Sequence, residues 1–154
     1  MKLATLCYIT DLQNKSTLML FRNKKENDVH EGKWNGLGGK FEATESPEEC
    51  VIREIKEESG LTIKSPKLKG FITFPKFDGI FDWYVFLFTA DKYEGELINS
   101  NEGHLEWIPN DKLLSLNLWE GDQIFLPWLT GDKFFSAKFI YENKKLISYS
   151  VNFY

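Results

Sequence analysis

The chain has 154 residues and a net charge of −4, long enough to bury roughly 70% of its unfolded surface as one domain spanning residues 1–154. That balance offers no basic patch of the kind nucleic-acid polymers select, so duplex DNA and RNA are excluded as expected partners. No apolar run approaches membrane-spanning length, and the opening Met1-Lys2-Leu3-Ala4-Thr5-Leu6 lacks a signal peptide's long apolar region, so no membrane partner and a cytoplasmic location are expected. In chain order, Leu3 to Thr10 and Thr17 to Arg22 read as strands around the polar turn Asp11 to Ser16. Asn23 to Glu31 is a charged loop without periodicity, in which Lys24 and Lys25 read as a solvated pair. Gly36, Gly38 and Gly39 then mark a backbone that turns tightly or approaches a ligand closely.

The helix predicted from Pro47 to Ser59 has both ends marked. Ser46 is a good N-cap, Glu49 completes a capping box, Pro47 suits the first helical position, and Gly60 suits the C-terminal one. Beyond it, Leu68 to Phe77 and Ile80 to Ala90 predict a hairpin turning at Asp78-Gly79. Glu96 to Ile98 and Leu105 to Ile108 read as short strands, Pro109 to Leu116 as a helical turn or short helix, and Gly121 to Leu129 as a helix that Pro127 bends or ends. Phe134 to Tyr141 and Leu146 to Phe153 alternate as a terminal hairpin. Cys7 and Cys50 sit in apolar contexts and read as buried small hydrophobes, not a disulfide. His30 and His104 lie in polar loops away from zinc-ligand spacing; they read as surface residues and are given no role.

The chemistry is concentrated in the helix. Glu54, Glu57 and Glu58 stand at i, i+3 and i+4, where like charges repel by a few tenths of a kcal/mol per pair. A dication reverses that sign, because Mg²⁺ prefers carboxylate oxygens. A solvated acidic face explains three glutamates alone, but not their flanks. Gly39, Glu45, Arg53, Glu54, Ile55, Glu57, Glu58, Gly60 and Leu61 fill all nine specified positions of G-x5-E-x7-R-E-U-x-E-E-x-G-U, with U apolar.

This stretch resembles the Nudix box, the signature of the Nudix hydrolases. The resemblance implies a mixed β-sheet sandwiched between helices, an α+β fold, with a C-terminal β-hairpin. It further implies metal-dependent cleavage of a pyrophosphate linkage in a nucleotide, with Mg²⁺ or Mn²⁺ as the cofactor. Carried over by box position, Glu54 and Glu58 are the principal metal ligands, and Glu57 is a further ligand or the base. Gly38 offers its carbonyl to the metal, and Arg53 pairs with Glu45 to brace the helix. Glu102, in a polar loop, is the expected outlying ligand. Gly32 to Lys40, Leu118 to Asp122 and the final hairpin resemble the mammalian-type branch of 8-oxo-dGTP diphosphatases among the MutT-like enzymes. By motif position, Asn35 and Asp122 read the purine edge, Trp119 stacks on the base and Thr5 lines the floor. There is one departure: the related motif has two adjacent acids after Trp-Pro, whereas Trp119 is followed by Glu120-Gly121-Asp122. The resemblance thus implies a small nucleoside triphosphate as the substrate and a monomer or homodimer as the assembly. Sugar nucleotides, dinucleoside polyphosphates and capped RNA ends stay open as other substrates, as does a non-catalytic sensor.

Overall fold

The computed structural model describes residues 1–154. Its centre is an eight-stranded mixed sheet of β1 (Lys2–Asp11), β2 (Ser16–Arg22), β3 (Trp34–Asn35), β5 (Lys67–Phe74), β6 (Trp83–Ala90), β8 (Gly103–Pro109), β9 (Phe135–Glu142) and β10 (Lys145–Phe153). The path runs β10-β9-β5-β6-β1-β2-β3, with β8 on the other edge of β2. The β1–β6 and β5–β9 pairs are parallel. A separate two-stranded ribbon joins β4 (Thr62–Lys64) to β7 (Lys92–Glu94).

The period-2 alternation of the strands divides the core in two. On one face Cys7, Ile9, Leu18, Leu20 and Phe88 pack against Val51 and Ile55 of α1 (Pro47–Ser59). On the other, Tyr8, Met19, Ile72 and Leu87 pack against Phe125 of α2 (Glu120–Phe125), Leu126 and Leu129 of the following 3₁₀ turn, and Phe139 of β9. The expected α+β arrangement, a sheet between helices with a terminal hairpin, is the one formed. Cys7 and Cys50 are buried and unbridged.

The site owes its position to a divergence of two strands. β1 and β2 pair only from Ile9↔Leu18 to Asp11↔Ser16, and the segment after β3 is threaded alongside the rest of β1. Thr5 N–H donates to Gly39 O, Cys7 N–H to Leu37 O, and Phe41 N–H to Leu3 O. Glycine is required here, because a Cβ on Gly38 would collide with the Thr5 carbonyl oxygen.

Three expected boundaries move. The hairpin at Asp78-Gly79 is a longer loop, because β5 ends at Phe74 and β6 begins at Trp83. Asp78 accepts from the Ile80 and Phe81 amides and from Trp83 Nε1, so its side chain builds the turn in place of a two-residue ladder end. Glu96 to Ile98 forms no strand, since Ile98 N–H is drawn to Ser59 O at the end of α1. The helix expected from Gly121 to Leu129 stops at Phe125 and continues as a 3₁₀ turn, Leu126–Thr130, with Pro127 in its first turn.

Candidate active site

Helix α1 is fixed at both ends as its sequence predicts. Glu49 N–H donates to Ser46 Oγ and Ser46 N–H to Glu49 Oε1, while Gly60, at φ 83°, closes the C-terminus with its amide on Lys56 O. Arg53 then ties the helix to the preceding loop. Its guanidinium reaches Glu45 at 2.6 Å, Glu54 at 2.8 Å, Glu57 at 3.2 Å and the Lys40 carbonyl at 3.0 Å. The expected Arg53–Glu45 pair is present, and Arg53 also offsets the mutual repulsion of the glutamates beside it.

Glu54 is seated against the glycine turn. A Cβ on Gly39 would collide with its carboxyl group, so the cradle exists only because residue 39 has no side chain. Glu58 is 8% exposed, and its Oε2 is buried without a hydrogen-bond partner. Burial, followed by the charges of Glu102 and Glu54, holds the Glu58 carboxyl well above the usual carboxylate range. Burial raises Glu54 as well, with Arg53 opposing. Glu102 is brought to the same place from the loop before β8, where Arg22 (3.2 Å) and Lys25 (2.9 Å) hold it. Lys24 and Lys25 are exposed, as expected, but each has a partner: Lys25 pairs with Glu102, and Lys24 Nζ donates to Ser100 O at 2.8 Å.

These groups suit a hard divalent cation in chemistry: carboxylate oxygens, one of them orphaned, beside a glycine cradle. No three of the acidic, His or Cys side chains converge closely enough to ligate one ion as they stand.

A cavity of about 780 Å³ runs from this acidic end to the far side of the sheet. Gly38, Gly39, Glu54 and Glu102 line one end, and Asn35, Trp119 and Asp122 the other. Glu57 and Glu58 lie outside the lining, on the exposed face and in the base of α1 respectively. Asp122 is buried, and loss of water raises its carboxyl to about 7, with Lys33 opposing. Asn35 is 8% exposed, and its Nδ2 has no partner.

Thr5 and Trp119 both line the cavity, and each is also held by neighbours. Thr5 borders the cavity, but its hydroxyl turns under α1, 3.5 Å from Gly39 O and 3.5 Å from Cys50 Sγ. Strand alternation puts Ala4, Leu6 and Tyr8 on the opposite face of β1 from the Thr5 hydroxyl, and Ala4 and Leu6 line the cavity with Thr5. Trp119 is only 4% exposed, because aromatic and polar neighbours surround its ring. Phe77 packs edge-on at 4.9 Å, Tyr141 at 5.5 Å, and Lys33 Nζ stands 5.3 Å from the ring centroid. Its Nε1–H donates to His30 Nδ1 at 2.9 Å.

His30, expected at the surface, is instead a wall of the cavity, lying against Phe77 at 5.8 Å. Burial, with Arg22 adding to it, lowers its pKa to about 4, so the ring is neutral and free to accept from Trp119. Phe77 and Tyr141 complete the wall, and no motif in the sequence marks either of them. The departure at Gly121 has a steric reason. Gly121 N–H donates to Tyr141 Oη at 2.7 Å, and a Cβ there would stand 2.6 Å from that oxygen. The space a second acid needs is filled by Tyr141.

Residues 1–129 match the NUDIX domain. The Nudix hydrolase YvcI of Bacillus subtilis, named as uncharacterized, is 36% identical over 127 residues, 79% of this chain and 80% of that one. An oxidized purine nucleoside triphosphate hydrolase of Danio rerio is 35% identical over 116 residues, 75% of this chain and 74% of that one. The crystal structure of a mutator MutT protein from Bacillus halodurans, 35% identical, superposes with a TM-score of 0.87 and covers 99% of this chain and 98% of that one. With the glycine turn, the capped acidic helix and the Arg53 brace all in place, the chain belongs to the Nudix hydrolases.

Proposed function

We propose that the protein is a Mg²⁺-dependent nucleoside triphosphate pyrophosphohydrolase that takes oxidised purine deoxynucleotides such as 8-oxo-dGTP to the monophosphate and pyrophosphate. Such an activity clears mispairing bases from the nucleotide pool. The observation that carries this reading is the continuity of the cavity, which joins Glu54 and Glu102 to Asn35 and Asp122. A nucleotide has the same polarity, charged at one end and flat with polar edges at the other. The relatives named as oxidized purine nucleoside triphosphate hydrolases support the base preference.

In this reading Glu54, Glu58 and the Gly38 carbonyl hold the metal, with Glu57 and Glu102 as further ligands. Bound there, Mg²⁺ supplies charge neutralisation on the phosphate oxygens. Glu57, more exposed than Glu54 or Glu58 and tethered by Arg53, takes the proton from water. The water oxygen bonds to phosphorus as the bridging P–O bond breaks, and pyrophosphate leaves. Mn²⁺ fits the same oxygen donors. At the other end, protonated Asp122 donates to a purine acceptor such as O6, and Asn35 Nδ2 donates beside it. Trp119 meets the base once His30 and Phe77 give way, and Thr5 supports the glycine turn from beneath.

Purified protein with Mg²⁺ is assayed against normal and oxidised deoxynucleoside triphosphates, sugar nucleotides, dinucleoside polyphosphates and capped RNA, with products identified. Pyrophosphate and a monophosphate, formed fastest from an oxidised purine, are the expected result. Release of inorganic phosphate, or faster turnover of any conjugate in the panel, overturns the reading.

A further inference from the structure

Three buried side-chain atoms lack a hydrogen-bond partner, and two of them, Tyr8 Oη and Asn35 Nδ2, belong to one corner of the molecule. The third, Glu58 Oε2, belongs to the acidic end. The Cys7–Leu37 bridge sets Tyr8 beside Gly36, whose absent Cβ would stand 3.0 Å from Tyr8 Cε1 and Cζ. From the other side comes α2. Asp122 and Phe125 are one turn apart and so share a helix face, and Phe125 meets the Tyr8 ring at 6.2 Å. The hydroxyl end of Tyr8 therefore lies between Asn35-Gly36 and Asp122; burial, then the Asp122 charge, holds it well above the usual phenol range, with the Gly36 backbone opposing.

Packing alone does not explain a tyrosine here. The neighbouring strand positions on this face are Met19, Ile72 and Leu87, and Tyr8 is 3% exposed. A phenylalanine fills the same volume without burying an unpaired hydroxyl, which is costly in such surroundings. An orphaned polar atom kept in an apolar face signals a partner that arrives later. Asp122 has the complementary need, because no hydrogen bond within the chain holds its carboxyl.

We propose that Tyr8 is a positioning residue for base selection: its hydroxyl donates to one oxygen of Asp122 when a ligand engages the other. That bond fixes which carboxyl oxygen meets the purine as donor. Tyr8 thus does what the missing second acid at Gly121 has no room to do, and the choice between a 6-oxo and a 6-amino purine follows from it. The inference rests on the base-end assignment of the proposed function. The charged and titratable groups facing Asp122 are Lys33 before β3, Tyr8 on β1 and Tyr141 on β9.

The test is Tyr8→Phe, read by calorimetric binding of 8-oxo-dGMP, 8-oxo-dAMP and dTMP without metal, between pH 5.5 and 8.5. The variant is expected to move the 8-oxo-dGMP to 8-oxo-dAMP affinity ratio at least about fivefold toward unity. Because the bond forms only in the complex, the ratio moves while the pH midpoint of 8-oxo-dGMP binding stays at the wild-type value. Its thermal midpoint stays level or rises, since an unpaired hydroxyl leaves the core. A ratio unchanged within about twofold overturns the inference, as does a clear fall in thermal midpoint, which makes the hydroxyl a packing partner of the free protein. Failure of the underlying reading looks different: wild-type protein then binds neither purine more tightly than dTMP, and both claims fall.

Discussion

Around α1 the polar groups are crowded and paired, with Arg53 gathering Glu45, Glu54 and Glu57, and Arg22 and Lys25 holding Glu102. Around α2 they are few and solitary, with Asn35 Nδ2 and Tyr8 Oη set in an aromatic wall beside Asp122. The first region keeps its geometry through charge that water partly screens. The second stores cost, about 1–3 kcal/mol for each unpaired buried group, which a ligand of the right pattern relieves. In the proposed function, chemistry common to many nucleotides belongs to the first, and discrimination to the second.

The strongest way to break this contrast is Glu58→Gln. Losing one ligand carboxylate is expected to lower turnover at least about a hundredfold, since bound metal contributes several kcal/mol of transition-state stabilisation. The fold holds, and denaturation at neutral pH requires as much denaturant as for wild type or more, because a carboxyl with a raised pKa is destabilised when ionised. Near-normal turnover ends the ligand assignment.

Gly39→Ala probes the same end more gently. The new Cβ displaces the Glu54 carboxylate from its cradle, and a loss of about tenfold or more in kcat/KM is expected, with stability within roughly 1 kcal/mol of wild type. Full activity would show that the cradle does not set the position of Glu54.

At the other end, Asp122→Asn tests the desolvated acid through pH. The folded pKa of about 7 lies above the unfolded value of 3.8, so the native state binds the extra proton between them. This group's contribution is complete below about pH 4 and is lost as pH rises through about 7, by roughly 1.4 kcal/mol for each pH unit crossed between the two values. Denaturant titrations at pH 5 and pH 8 should show wild type losing more stability than the Asn variant. Parallel losses contradict the raised pKa. Asn35→Ala is the mildest change, expected to alter relative rates among purine substrates about threefold to tenfold while leaving pyrophosphate release intact. Identical relative rates would remove Asn35 from base recognition.

The difference between the regions also explains what is legible in the sequence and what is not. Ser46, Glu49, Arg53, Glu54 and Gly60 act on one another within a few turns of chain, so spacing alone exposes the caps, the brace and the acidic face. The wall around Trp119 is assembled from His30, Phe77 and Tyr141, which come from three distant segments. No local pattern marks them. His30 in particular sits among charged residues and is buried by a partner 89 positions away. Thr5 shows the complementary difficulty: its place in the strand is plain, but which face it presents depends on the strand's parity against α1. A signal does exist for Tyr8, a tyrosine amid the aliphatic residues of the first strand, but its meaning depends on Asp122 being opposite.

The hairpin β9–β10 lies beyond residue 129, where the match to the NUDIX domain ends, yet Tyr141 from it grips Gly121 and walls the cavity. In the proposed function, selectivity then depends partly on strands outside that match. Those strands are no loose appendage: shortening the protein to residues 1–129 would strip β9 from beside β5 and take the buried Phe135 and Phe139 out of the core. The pieces that shape the pocket's far wall are the ones that finish the sheet, so neither can be altered without the other feeling it.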